Sequence, residues 1–180
     1  MQQTASYRMV RNIHGFDALE LPYVGADFLA VCILPTEGNA APWKEGFSQT
    51  ALKELQQKLA EAEAADVDVR LPLFHVRSKN DLKSALQAMG VRLAFAAKAD
   101  FRGLVEQNRF PVSELLQDVD LAVTPKGTEA SARTGGFGFG AFEEVEPLKF
   151  HADRPFLFLI LHRASGAVLF VGKVDDPRKR

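Results

Sequence analysis

Four histidines, one cysteine and a cluster of glutamates are the residues whose chemistry is worth testing first. His14, His75, His151 and His162 never fall two to four residues apart, so no helix or strand turns two imidazoles to one face as metal ligands. Cys32 is the single cysteine, which excludes a disulfide within the chain and a multi-thiolate metal site. It lies in the apolar run 28–34 and is expected to be a buried, inert thiol. His151 stands near Asp153, but no serine or cysteine beside them has the setting of a nucleophile. His75 and His162 sit in apolar stretches and are expected to be hydrogen-bonded structural residues. Glu143, Glu144 and Glu146 read as a solvated charged face. No catalytic residue, metal or cofactor is expected.

The segment Gly136-Phe137-Gly138-Phe139-Gly140 is rich enough in glycine to suggest a phosphate loop. Such a loop needs a strand before it and a helix N-terminus after it, so that backbone amides converge on the anion. Acidic residues and an extended segment follow instead. A different regularity runs through this stretch. Thr128, Ala130, Ala132, Thr134, Gly136, Gly138 and Gly140 share one phase of a two-residue alternation, and all are small. Glu129, Ser131, Arg133, Gly135, Phe137 and Phe139 share the other, which carries every charge and every ring. A flexible linker explains small residues but not their phase. A segment that is sometimes an exposed loop, and sometimes a strand laid over a packed core, requires both.

The elements around this segment are mostly extended. Leu19 to Tyr23 and Ala26 to Leu34 read as strands, the second apolar enough to be buried on both faces. A helix is expected from Ser48 or Thr50, with Leu52, Leu55 and Leu59 on one stripe that fades near Asp66. Val67 to Val76 alternates as a strand. Ser78 and Asp81 have capping-box spacing before a helix carrying Leu82, Ala85, Leu86 and Met89 on one face up to Gly90. Leu115 to Thr124 is a strand with Val119, Leu121 and Val123 on one side. Val145 to Phe150 is extended, and Pro155 to His162 with Ala167 to Val174 form a hairpin about Ala164-Ser165-Gly166.

Composition narrows the partners. Of 180 residues 47% are hydrophobic, enough for a core, and 22 Lys+Arg balance 23 Asp+Glu. A net charge of -1 gives no basic field for nucleic acid. The longest strongly apolar run, Phe156 to Leu161, is too short to span a bilayer. Residues 1–7 lack the pattern of a signal peptide, so a soluble chain is expected.

Several blocks, in fixed order, resemble the serpins. The hinge Gly127-Thr128-Glu129-Ala130-Ser131-Ala132 follows a strand that opens with Val112-Ser113-Glu114. Phe150 to Phe158 and Leu169 to Pro177 are similar to the family's closing strands. Glu20-Leu21-Pro22-Tyr23, Ile33-Leu34-Pro35, Leu71-Pro72-Leu73-Phe74 and Asp81 to Gly90 match upstream. The likeness covers about Leu19 to Pro177 and is weak over 1–18, and residues 19–180 are read as the C-terminal part of a serpin domain. It implies an α+β fold of mainly antiparallel sheets, a few helices and a long exposed reactive loop at about 127–150. It also implies only the C-terminal half of that fold, so a complementary N-terminal serpin half is a partner to expect.

What the resemblance implies of function is suicide-substrate inhibition of a serine protease. The loop offers a bait bond, the protease's nucleophile forms an acyl-enzyme, and the freed loop inserts into the main sheet before hydrolysis. The family's spacing places the bait bond at Ala141-Phe142. Ala141 as the recognised residue suits an elastase-like target, and a shift of one to Phe142 suits a chymotrypsin-like one. Thr134, Gly136, Gly138 and Gly140 extend the inserting face beyond the hinge. Gln117 replaces the family's usual histidine, Pro125 replaces an acidic residue before the hinge, and Arg133 replaces a small residue on the solvent side. A non-inhibitory binding or chaperone-like serpin, or an inactive remnant, is the alternative. An extracellular or periplasmic site is expected if the parent protein is secreted.

Overall fold

A computed structural model describes residues 1–38, 48–104, 110–123 and 146–178. Through them run β1 (Gln2–Ile13), β2 (Phe16–Pro22), β3 (Phe28–Pro35), α1 (Gln49–Glu61), β4 (Ala64–Arg70) and β5 (Phe74–Asp81). There follow α2 (Lys83–Ala88), a 3₁₀ turn at Leu93–Phe95, β6 (Leu116–Val123), β7 (Leu148–His151), β8 (Phe156–His162) and β9 (Val168–Val174). The chain divides into two units, Met1–Phe74 with Ala122–Arg180, and His75–Leu121.

The first unit is built on a sheet in the order β7-β4-β1-β2-β3-β8-β9. β1 serves two ladders, pairing antiparallel with β4 over residues 2–8 and with β2 from Met9 to Ile13. The sequence pattern predicts no strand before Leu19. Most of β1 is polar, and its signal rests on two buried side chains, Tyr7 and Met9. The β1–β2 turn has two residues, His14 at φ 52° and Gly15 at φ 79°. Two successive left-handed residues twist the chain as the flanking strands do, which makes this a type I′ hairpin.

β3 is the centre of the unit. It pairs antiparallel with β2 and β8, and Leu29 to Pro35 are all buried. One face of the sheet packs against α1: Phe16, Ala18, Leu29, Val31, Ile33, Leu159 and Leu161 enclose Leu55 and Leu59, with Leu52 partly buried beside them. Ser48 caps that helix, its Oγ accepting from the Ala51 amide at 3.1 Å. The expected cap and stripe are therefore both present. On the opposite face Phe74 meets Phe156 and Phe158 edge to face, at centroid separations of 5.6 and 5.3 Å. Cys32 lies on this face, fully buried, and burial pushes its thiol up to about 12, so it stays protonated and unreactive.

Two expectations need correction. The alternating run from Val67 to Val76 is not one strand, because β4 ends at Arg70 and β5 starts at Phe74 in a different sheet. Pro72 lies between them, and its missing N–H suits a break in the ladder. Ser78 does not cap a helix; it belongs to β5, and α2 starts from Leu82 with no side-chain cap. Asp81 instead accepts from the Lys83 amide at 3.0 Å. Gly90 follows α2 at φ 98°, a conformation that ends helices and favours glycine. Met89 is 80% exposed, so the predicted apolar face of α2 is not buried within its unit.

Shortening Leu59, 2% exposed beneath the sheet, should therefore be costly. Leu59→Ala is expected to lower unfolding free energy by about 2–5 kcal/mol. Met89→Ala should change it by no more than about 0.5 kcal/mol, as exposed substitutions usually do. Urea unfolding followed by circular dichroism checks both.

Candidate functional site

The expected functional segment lies between β6 and β7. Gly127, Thr128, Glu129, Ala130, Ser131, Ala132, Thr134, Gly136, Gly138 and Gly140 lie outside the described residues, as do Ala141, Phe142, Pro125 and Arg133. The two strands that lead into and out of the segment are described, and each is built by different physics.

The upstream strand, β6, pairs with β5 and with no other strand among the described residues. The Leu82 amide donates to the Leu115 carbonyl at 2.9 Å, and His75 meets Asp120. Partner numbers fall as chain numbers rise, so the pair is antiparallel. Val119, Leu121 and Val123 share one half-buried face, as their spacing predicts. The other face is exposed and carries Leu116, Asp118, Asp120 and Ala122. There the Asp120 carboxylate accepts from His75 and, at 2.9 Å, from Arg77 Nε. The hydrogen bond from His75, supplemented by the charges of His75 and Arg77, outweighs desolvation and holds the pKa of Asp120 below the usual carboxylate range. His75 is thus hydrogen-bonded as expected, but at the surface, its side chain 45% exposed. Gln117, which the sequence analysis singled out, is also exposed.

Within the same unit, Lys83 Nζ donates to the Ser113 carbonyl at 2.8 Å and lies 6.0 Å from the Phe95 ring centroid. Lys83 thus ties α2 to the residues that open β6. The Val112 amide donates to Ala94 at 2.9 Å, so this connection is held through its backbone as well.

The downstream strand, β7, is short and firmly seated. It runs parallel to β4, with Val67 opposite Leu148 and Arg70 opposite His151. Phe150 is 1% exposed and anchors it, and the Ala152 amide donates to the Arg70 carbonyl at 2.8 Å just beyond its end. His151 pairs with Asp68 rather than with nearby Asp153: its Nε2 donates to Asp68 Oδ2 at 2.8 Å. The residues are 83 apart in sequence, so only the β4–β7 register reveals the pair. Asp153 pairs instead with Arg154, whose Nε also donates to the Pro35 carbonyl at 2.8 Å.

The hydrogen bond from His151 is also the largest influence on Asp68. It lowers the pKa of the carboxyl against the opposing effect of desolvation, with help from the charge of Arg70. These are anchors, and no nucleophilic hydroxyl or thiol is paired with either imidazole in them. Among the described residues no group of three or more His, Cys, Asp or Glu could hold a metal ion. No helix there is long and apolar enough to cross a membrane.

The comparisons with known proteins agree with this arrangement. The family model described as Serpin (serine protease inhibitor) matches residues 1–177. Iripin-3 of Ixodes ricinus is 37% identical over 165 residues, which is 89% of this chain and 40% of the relative. The leukocyte elastase inhibitor of Bos taurus is 34% identical, over 88% of this chain and 43% of its own length. Human thyroxine-binding globulin, solved in complex with its hormone, superposes with a TM-score of 0.74 at 29% identity. That match takes in 99% of this chain and 46% of the globulin. The chain thus spans less than half the length of these relatives and corresponds to their C-terminal portion.

The lowered Asp68 has a pH consequence with a definite sign. Its pKa is lower in the folded state than in the unfolded chain, so the His151 pair stabilises fully above the ordinary carboxylate range. That stabilisation is lost as pH falls through the lowered folded value. Asp68→Asn is therefore expected to flatten the loss of stability between about pH 5 and pH 2, a window set by ordinary carboxylate titration. Urea midpoints measured across that window for parent and variant check it.

Proposed function

Because the chain belongs to the serpin family, we propose that it is the loop-bearing portion of a suicide-substrate inhibitor of a serine protease. The observation that carries this reading is the unbroken small phase of the hinge and loop. Thr128, Ala130, Ala132, Thr134, Gly136, Gly138 and Gly140 can all pass beneath a strand without displacing a core. The strand that leads into them, β6, has a partner on one side only among the described residues. An inserting segment therefore has backbone groups to pair with, and its small side chains face inward.

The bait bond of this reading is Ala141-Phe142. The protease serine attacks the Ala141 carbonyl, the Phe142 amine departs with a proton, and Ala141 remains as an ester on the enzyme. Insertion of residues 128–140 then competes with water for that ester. Two relatives support a protease target by their names, leukocyte elastase inhibitor and the serine protease inhibitor of Cyanea capillata, at 34% and 32% identity. Ala141 fits the small pocket of an elastase-like enzyme. Phe142, in the shifted register, fits a chymotrypsin-like one. The anchored β7 provides the fixed far end from which the loop is stretched.

A second reading has its own support. Pro125 removes a ladder donor just before the hinge, which opposes insertion. The chain also superposes on thyroxine-binding globulin, whose structure was solved with a hormone and not a protease. On this reading the protein is a non-inhibitory serpin-fold binder.

Incubation with elastase and with chymotrypsin separates the two. Inhibition is expected to give a protease complex that survives denaturing electrophoresis, with a released peptide starting at Phe142. Thr128→Arg places a charge under the inserting strand and is expected to reduce trapped protease at least tenfold while cleavage continues. Trapping undiminished in that variant would refute insertion. Cleavage of the parent chain without any complex would favour the binder.

A further inference from the structure

A cavity of about 680 Å³ lies between β7 and the β1–β2 hairpin, within the first unit. That volume is in the range of small-molecule sites. No ladder connects the two elements, because β7 pairs with β4 and only β4 pairs with β1. The lining draws Lys149 from β7, Arg154 from the turn after it, Arg11 from β1 and the buried side chain of Leu34 from β3. Arg11 and Lys149 are exposed and make no hydrogen bond or ion pair among the described residues. Arg154 donates through Nε to the Pro35 carbonyl and through Nη1 to Asp153, so its Nη2 is uncommitted.

Charge decides what this space could hold. Three carboxylates share the lining, and two are already engaged: Asp153 accepts from Arg154 at 2.9 Å, and Asp17 accepts from the Asn12 amide at 2.8 Å. Glu37 is left to answer the cations of Arg11 and Lys149, which come from different strands. A guanidinium offers a planar fork to a carboxylate or phosphate, and an ammonium offers a point charge. The chain as a whole has a net charge of -1, so no general positive field draws anions, and any such binding has to be local. A single small ion does not fill a cavity of this size, whereas a molecule with two anionic groups can meet both sides of it. We propose that the cavity binds a small molecule carrying two or more anionic groups, of the polycarboxylate or diphosphate type, one group on Arg11 and another on Lys149 and Arg154. Such a ligand joins β7 to the hairpin. The inference rests on the cavity alone and holds whether or not the loop traps a protease.

Isothermal titration of the full 180-residue chain with citrate and with pyrophosphate, at low ionic strength, tests it. Saturable one-to-one binding of at least one probe is expected, about tenfold or more tighter than binding of acetate. Arg11→Glu and Lys149→Glu are each expected to weaken it about tenfold or more. Lys79→Glu, which reverses an exposed charge in the other unit, should leave it unchanged. Circular dichroism verifies that the variants fold, and Arg11→Gln and Lys149→Gln repeat the test with less disturbance. At saturation, hydrogen–deuterium exchange of amides 149–151 is expected to slow. Binding of one probe alone supports the site and assigns it to carboxylate or to phosphate. Absence of saturable binding by either probe would overturn the proposal. So would binding that Lys79→Glu weakens as much as the cavity variants do, which would trace it to diffuse surface charge. Unchanged exchange across β7 at saturation would overturn the joining of β7 to the hairpin.

Discussion

A strand carries hydrogen-bonding groups along both edges, and burying either edge without a partner costs more than the bond itself contributes. This requirement governs the present fold. Among the described residues, β1, β2, β3, β4 and β8 each have neighbours on both sides, and the buried core lies against them. β6 and β9 each have one neighbour. Their chemistry separates their roles. β6 exposes Gln117, Asp118 and Asp120 together with Leu116 and Ala122, and feeds directly into the small-phased loop. β9 exposes only apolar side chains before Lys173 and feeds into the end of the chain.

The core of the first unit explains how the downstream end of the loop is held. Leu55 and Leu59 fix α1 to one face of the central sheet, and Phe74, Phe156 and Phe158 close the other. β7 enters this framework through Phe150 and through the bond between His151 and Asp68. The downstream end of the loop is consequently attached to a strand anchored by a buried ring. The upstream end is attached to a two-stranded ladder whose polar contacts, around Asp120, lie in solvent. Exposed ion pairs contribute little to stability. The two ends of the loop thus differ in how firmly they are held: one by burial, the other by surface contacts.

Much of this was legible in the sequence where local pattern decides structure. The buried run at 28–34, the stripe of Leu52, Leu55 and Leu59, and the final hairpin all follow from spacing. The family blocks were legible from residue order, and with them the C-terminal half of the fold. Elements decided by distant partners were not. β1 has almost no apolar signal of its own and exists because β2 and β4 flank it. The break at Pro72 shows in the sequence only as a slip of phase, from Val67, Val69 and Leu71 to Phe74 and Val76, and alternation does not say that β4 and β5 belong to different sheets. Ser78 has capping spacing yet lies in a strand, where a ladder with β6 outweighs a local hydrogen bond. The His151–Asp68 anchor depends on a register that no local window contains.

Insertion of the loop as a strand is the claim on which the functional account stands, and melting temperature after loop cleavage tests it most directly. The loop can be nicked between Thr134 and Phe142 by a protease that is not trapped. Each new ladder bond is worth about 0.5–1.5 kcal/mol, so an inserted strand adds on the order of 5 kcal/mol. For a chain of this size that corresponds to a rise on the order of 10–20 °C. Insertion predicts such a rise in the nicked chain. An unchanged or lowered melting temperature would contradict it.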